Sequence, residues 1–171
     1  MKFVKYIAFI TLLIIFSYQT NADELKKLPS EHEYNFYSGM FDFSDSGKKS
    51  TLFGFQHQNE NLTRKSFLGT LSPITGAMIT ADNAAYIYTG VQAQYNLGKI
   101  NLTPSFTPGI YNQGDGKDLG HLVEFKSEVQ LSLNLFENSQ FGMSYNHISN
   151  ASLGDKNPGA NSYMFNFLQK F

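Results

Sequence analysis

The chain contains no cysteine, and its histidines are widely separated. Without cysteine the chain cannot form disulfide bonds, so its stability must come from other contacts. A zinc site needs several ligands at short, regular spacings, and no group of histidines in this sequence has such a spacing. We therefore predict no metal site and no cofactor. The histidines are His32, His57, His121 and His147.

Long hydrophobic runs are also missing, apart from one near the N-terminus. Tyr6–Phe16 forms an apolar run of about 11 residues behind the positive charges of Lys2 and Lys5, a pattern typical of a secretory signal peptide. The run is shorter than the ~20 residues that a membrane-spanning helix needs. Since Ala22 is a small residue of the kind that signal peptidases prefer, we predict a signal peptide over residues 1–22 and a mature domain over 23–171.

The mature part has little charge of either sign and a small acidic excess. Removing residues 1–22 leaves 149 of the 171 residues, which is the size of one domain. The cut removes two of the 13 basic residues and none of the 14 acidic ones, so the net charge becomes 11 − 14, or −3. A chain of this charge is not expected to bind nucleic acid.

What the mature part does contain is a series of short alternating segments rich in Phe, Tyr, Gly, Asn, Ser and Thr, separated by turn-forming residues. In an exported protein this composition favours an outer-membrane barrel, and eight is the smallest known strand number. We predict an all-β fold, an eight-stranded antiparallel up-and-down transmembrane β-barrel. The predicted segments are 34–43, 50–58, 66–80, 84–97, 99–111, 120–136, 139–149 and 161–171.

The sixth segment shows the alternation most clearly. Apolar residues from Val123 to Leu135 share one face with Ser127, and Glu124, Lys126 and Glu128 lie on the other. In a soluble lipocalin-like barrel the apolar face would point inward, whereas in a membrane barrel it points outward to lipid and the charged residues fill the lumen. The end of the chain favours the membrane barrel, because it resembles the terminal segment by which outer-membrane proteins are recognised for insertion. Its outward aromatic residues are Tyr163, Phe165, Phe167 and Phe171.

The seventh segment carries a histidine and a serine on its outward face. His147 and Ser149 are two residues apart, so in a strand both side chains leave the same face. His147 lies ~20 Å along the strand from Phe141, or ~15 Å of height at a tilt of ~40°, which places the pair near the outer edge of the apolar band. Asn161 has the same outward parity on the next strand and can approach His147. A serine hydrolase needs at least a serine hydroxyl and a base beside it.

With these residues in place, the chain resembles the lipid A 3-O-deacylase family of the PagL type. The resemblance is strongest in HISNASLGDKNPGAN (147–161), which is similar to the H-x-S-N-A segment and the following N-P-G of that family. A weaker similarity lies in GDGKDLG and VEFKSEVQLS (114–132). Together the two stretches cover roughly the last third of the chain.

The resemblance implies an esterase that removes the acyl chain at the 3-O position of lipid A, in the outer leaflet of the outer membrane, without a metal. It makes Ser149 the nucleophile, His147 the general base and Asn150 a contributor to an oxyanion site. The position of the family's acid, a glutamate that orients the histidine, is occupied by Asn161. The expected partners are lipopolysaccharide and outer-membrane lipids, and the sequence leaves a homodimer open.

Two other functions compete with the esterase. One is a non-catalytic small outer-membrane barrel that has a structural role or binds a ligand through its loops. The other is a soluble periplasmic protein that binds apolar ligands. A further alternative concerns the acid, since Asp155 in the loop before Asn161 could supply a carboxylate.

Overall fold

The structure is a computed structural model, and it describes residues 32–45 and 48–171. The predicted signal peptide and the segment that follows it, up to residue 31, lie outside the described residues. None of the helical residues that the structure describes forms a segment long and apolar enough to cross a bilayer.

Most of the described chain is β-strand, in the segments that the alternation predicts. The largest departures lie in the third and fourth segments, each of which divides into two strands. A single 3-10 turn, Glu60–Leu62, follows the second strand. The strands are β1 His32–Phe41, β2 Ser50–Asn59, β3 Arg64–Ser66, β4 Gly69–Thr80, β5 Ala85–Ala93, β6 Tyr95–Leu97, β7 Ile100–Asn112, β8 Val123–Phe136, β9 Ser139–Ser149 and β10 Ala160–Lys170.

The sheet closes on itself as an antiparallel barrel. Its strands follow the order β2-β1-β10-β9-β8-β7-β5-β4, and β2 also pairs with β4, so the ring has eight members. The short β6 continues the β5 position by pairing with β7, and β3 forms a hairpin extension on β4. The predicted eight-stranded all-β barrel is therefore confirmed. Full closure removes the exposed strand edges that would otherwise pair with other chains.

The outer face of the barrel is apolar. Along β8 the side chains of Val129, Leu131 and Leu133 are about half exposed, and those of Phe141 and Met143 on β9 match them. Outward aromatic rings pack in pairs, such as Phe141 with Phe165, whose centroids are 6.4 Å apart. The soluble alternative, with the apolar face inward, is wrong for this reason: the apolar surface is the one that a lipid bilayer would cover.

The interior is polar and filled by side chains. Lys126 is fully buried, and its ammonium group lies 2.7 Å from a carboxylate oxygen of Glu128. The same ammonium lies 4.0 Å from the centroid of the Tyr88 ring, a favourable cation–π arrangement. Lys126 and Glu128 thus fill the lumen as predicted, and they form an ion pair there. Glu124 is buried on the same face, but forms no ion pair with any residue that the structure describes.

Four connections meet at one end of the barrel, and we call their described residues the loop rim: 42–45 and 48–49, 81–84, 113–122 and 150–159. Asp42 ends β1 with a positive φ of 50°, and its buried carboxylate accepts a 2.7 Å ion-pair contact from Lys117. Lys156 and Asp118 join the two longest loops in the same way. These contacts fix the loops over the end of the barrel that carries the predicted site.

Candidate active site

The β9–β10 hairpin places the predicted catalytic residues on the outer face at the loop rim. His147 pairs directly with Asn161 across the hairpin and with Ser127 on the other side. The neighbouring residues Asn146 and Ile148 are buried, so alternation turns the His147 side chain outward, where it is exposed. The structure therefore brings His147 and Asn161 together on the face that the strand parity predicts.

Asn161 is the centre of a small hydrogen-bond network. Its side-chain oxygen, Oδ1, lies 2.8 Å from Nδ1 of His147. The same oxygen accepts a hydrogen bond of 2.8 Å from the Tyr145 hydroxyl. The amide nitrogen, Nδ2, donates to Oγ of Ser44 over 3.0 Å. A carbonyl oxygen has two lone pairs, so this amide satisfies both donors that face it.

Ser149 lies two residues beyond His147, on the same outward face. It is half-buried and pairs in register with Phe125 of β8. Its hydroxyl makes no hydrogen bond to any residue between 32 and 45 or between 48 and 171. Side chains two residues apart in a strand are separated by ~7 Å of backbone, so a direct contact with the imidazole requires rotation of both side chains. Catalytic hydrogen bonds are often long before substrate binds.

Gly159 lies against the imidazole ring. A Cβ atom at this position would stand 2.8 Å from Cε1 and 3.2 Å from Nε2 of His147. The residue also has a φ of +63°, a conformation that side-chain-bearing residues adopt at a cost. The turn residue of the predicted N-P-G segment thus leaves room for the Nε2 edge of the ring, which points toward the loop rim.

Asn150 is fully buried beneath the loop that follows β9. Its amide nitrogen donates to the backbone carbonyl oxygens of Leu119 and Lys156, each over 2.8 Å. Its backbone N–H donates to Oδ1 of Asn157 over 3.0 Å. Asn150 therefore holds the loop in place, and its oxyanion role stays a prediction that requires the amide to exchange a carbonyl for the substrate.

Two participants in the network were not predicted. Tyr145 has the outward parity of His147, so a strand pattern could have found it. Ser44 follows β1 in a different hairpin, and only the pairing of β1 with β10 brings it beside Asn161. Asp155, the alternative source of a carboxylate, is exposed in its loop and makes no hydrogen bond or ion pair with the part of the chain that the structure describes.

Comparison with known proteins shows the family of this chain. The family model described as lipid A 3-O-deacylase (PagL) matches residues 17–168. The chain belongs to the lipid A 3-O-deacylase (PagL) family. The match includes the whole of β9 and most of β10, and with them the hairpin of His147 and Asn161. A search among curated proteins finds no match for this PagL-family chain.

Solved structures support the fold. A crystal structure of the outer membrane enzyme PagL is similar, with a TM-score of 0.62, 15% identity, and coverage of 80% of this chain and 98% of that one. A de novo designed transmembrane β-barrel has a TM-score of 0.52 and 11% identity, covering 86% of this chain and 100% of its own. A crystal structure of Neisserial surface protein A has a TM-score of 0.52 and 9% identity, with coverage of 83% of this chain and 97% of that one. At such low identities these structural similarities show the barrel fold alone.

Proposed function

We propose that this protein is an outer-membrane esterase that removes the 3-O acyl chain of lipid A by a His147/Ser149 mechanism. Its export by a signal peptide over residues 1–22 belongs to the same proposal. The family that the chain belongs to is described by that reaction. The observation that carries the mechanism is the 2.8 Å contact between His147 Nδ1 and Asn161 Oδ1. It leaves Nε2, on the outward face shared with Ser149, as the basic nitrogen.

The proposed reaction runs in two halves. Nε2 of His147 takes the proton of the Ser149 hydroxyl as the oxygen attacks the ester carbonyl, and the bond to the sugar oxygen breaks. The departing sugar oxygen receives that proton from the imidazole. A water molecule, deprotonated in turn by His147, then attacks the acyl-serine, which releases the fatty acid and restores the hydroxyl of Ser149. The charge on the carbonyl oxygen needs a donor, and Asn150 is the predicted one.

The position of the site suits a lipid with a sugar headgroup. The outward face at the loop rim lies at the edge of the apolar surface, where polar side chains are less costly than at mid-bilayer. An apolar groove of about 370 Å³ lies on the same face and is lined in part by Ser38, Phe53 and Phe165. Phe165 is four residues along β10 from Asn161, ~13 Å of strand toward the barrel middle. We propose that an acyl chain of the substrate runs from the ester into this groove.

The test is mass spectrometry of lipid A from cells that express the wild-type protein or a variant. Wild type should remove one 3-O acyl chain, and Ser149→Ala and His147→Ala should remove none. Ser127→Ala is the matched control, because Ser127 is also an outward-facing serine beside His147, and it should retain the activity. An intact lipid A profile with folded wild-type protein would favour the non-catalytic barrel instead. Loss of activity in Ser127→Ala alone would mean that the nucleophile is wrong.

A further inference from the structure

An amide at the acid position poses a problem that a carboxylate does not. The two oxygens of a carboxylate are equivalent acceptors, whereas the side chain of Asn161 has an acceptor at one end and a donor at the other. If the oxygen faces His147, the imidazole carries its proton on Nδ1 and leaves Nε2 free to act as a base. If the nitrogen faces His147, Nδ1 becomes the acceptor, the proton lies on Nε2, and the base is lost.

The orientation of the amide is set by its two other partners. Tyr145 directs its hydroxyl at Oδ1 over 2.8 Å, and a phenol is a better hydrogen-bond donor than acceptor because the ring withdraws electron density from its oxygen. Ser44 offers its hydroxyl oxygen to Nδ2 over 3.0 Å. The Tyr145 hydroxyl therefore favours the orientation in which Oδ1 of Asn161 faces both Tyr145 and His147. In this orientation Nδ2 of Asn161 donates to the Ser44 hydroxyl.

Both partners are held by a packed aromatic ring. The backbone N–H of Phe43 donates to the carbonyl oxygen of Asn161 over 2.9 Å, which fixes the loop segment that carries Ser44. The ring of Phe43 lies 6.2 Å from the ring of Tyr145 and 5.5 Å from that of Tyr163. The loop after β1 is thus seated on the β9–β10 hairpin by one backbone hydrogen bond and two ring contacts.

We propose that Tyr145 and Ser44 are positioning residues that lock the Asn161 amide with its oxygen toward His147, and so select the imidazole tautomer that activates Ser149. The lock takes over the orienting role of the carboxylate that the family pattern has at this position. The inference rests on the proposed esterase function, but the state of the imidazole can be measured without it.

The kinetic experiment compares hydroxyl removals on the same face. Tyr145→Phe should lower kcat three- to tenfold with little change in KM, in line with the loss of one hydrogen bond. Tyr163→Phe is the matched control, since that ring packs on Phe43 but its hydroxyl makes no hydrogen bond with the described residues, and it should keep the wild-type kcat. Ser44→Ala should lower kcat in the same way, and Ser44→Thr, which restores a hydroxyl, should rescue it.

A carboxylate at position 161 separates orientation from general damage. In an Asn161→Asp background both side-chain oxygens accept, so no lock is needed and Tyr145→Phe should change kcat less than twofold. An equal loss in the wild-type and Asn161→Asp backgrounds would overturn the proposal. So would a Tyr145→Phe enzyme as active as Tyr163→Phe.

The tautomer itself can be read from ¹⁵N NMR of histidine-labelled protein in detergent micelles at about pH 9, well above the ordinary imidazole pKa. A His147→Gln sample assigns the signals. Wild type should show a protonated Nδ1 and a bare Nε2, and Tyr145→Phe should show a mixture of tautomers. An unchanged spectrum in Tyr145→Phe would contradict the proposal, even if the enzyme were active. An inactive wild type with the expected spectra would instead contradict the esterase function, and the orienting role of Tyr145 and Ser44 would still be supported.

Discussion

At position 161, where the resemblance predicts the orienting acid of the family, this chain has an asparagine. Its amide oxygen can orient the His147 ring, as the 2.8 Å contact with Nδ1 shows. It cannot supply the negative charge that stabilises an imidazolium during attack on the ester. We therefore expect an enzyme that has its base correctly oriented and that is slow for lack of charge.

The first prediction concerns this missing charge. Asn161→Asp keeps the length of the side chain, and the Ser44 hydroxyl can rotate to donate to the second carboxylate oxygen. The rate of deacylation should rise, by at most the ~10⁴-fold that the reverse change costs in a serine protease. Purified variants assayed on lipid A would measure it. Asn161→Ala, which removes orientation as well, should be slower than wild type, and a slower Asp variant would contradict our interpretation.

A second residue-scale prediction concerns Gly159. Gly159→Ala places a methyl group 2.8 Å from Cε1 of His147, so the ring must move and kcat should fall at least tenfold. The left-handed backbone should also lower the free energy of unfolding by about 1–2 kcal/mol. Gly98→Ala is the control, because Gly98 has a φ of +81° and a Cβ there would meet no atom within 4 Å. It should lose similar stability and no activity; equal activity of the two variants would exclude a role for the glycine at the ring.

At the scale of the strands, alternation predicts faces better than ends. The sixth segment was predicted over 120–136 with its charges inside, and β8 has that face assignment but begins only at Val123. The first segment was predicted to reach residue 43, yet β1 stops at Phe41 because Asp42 adopts a positive φ and turns the chain. Period-two patterns report side-chain burial, whereas strand ends depend on turn conformations and long-range contacts that no local pattern contains.

The inward face of β8 gives an element-scale prediction. Lys126→Met should destabilise the barrel by about 3–5 kcal/mol, because it leaves the Glu128 carboxylate buried without its partner. Urea unfolding in detergent, followed by far-ultraviolet circular dichroism, would measure the change. The double variant Lys126→Met/Glu128→Gln removes both charges and should recover much of the loss. If the two variants were equally unstable, the contact would be a packing contact and not an ion pair.

At the scale of the whole molecule, the site joins two hairpins that are distant in sequence. The sequence predicted that His147, Ser149 and Asn161 share an outward face, since strand parity and the hairpin turn are local properties. Ser44 could not be predicted, because it reaches Asn161 only when the first and last strands of the barrel pair. Its contact spans 117 positions of the chain, and no periodicity reports a distance of that kind.

The loops of the rim should respond to acid as a unit. The hydrogen bond from Lys156 holds the pKa of Asp118 below its ordinary value of 3.8. A lowered pKa means that the contact stabilises the loops above pH 3.8 and is lost as the pH falls through the lowered value. Both side chains are largely exposed, so the effect should be local and the global stability nearly unchanged.

Hydrogen-exchange protection of residues 113–122 and 150–159 would measure this response. Protection should fall in wild type as the pH drops below about 3.8, and Asp118→Asn should show the low protection already at neutral pH. Asp155→Asn is the control, because that aspartate lies beside Lys156 in the loop 150–159 but forms no ion pair with the described residues. Acid-insensitive loops in wild type would show that the contact does not hold them.

The bond between Ser44 and Asn161 crosses the seam where the barrel is sealed. Before the first and last strands pair, the chain would carry His147 and Ser149 near one hairpin but would lack the contact of Ser44 with the Asn161 amide. Activity would then require a closed barrel. The deacylase that we propose would then become active only after its first and last strands have paired.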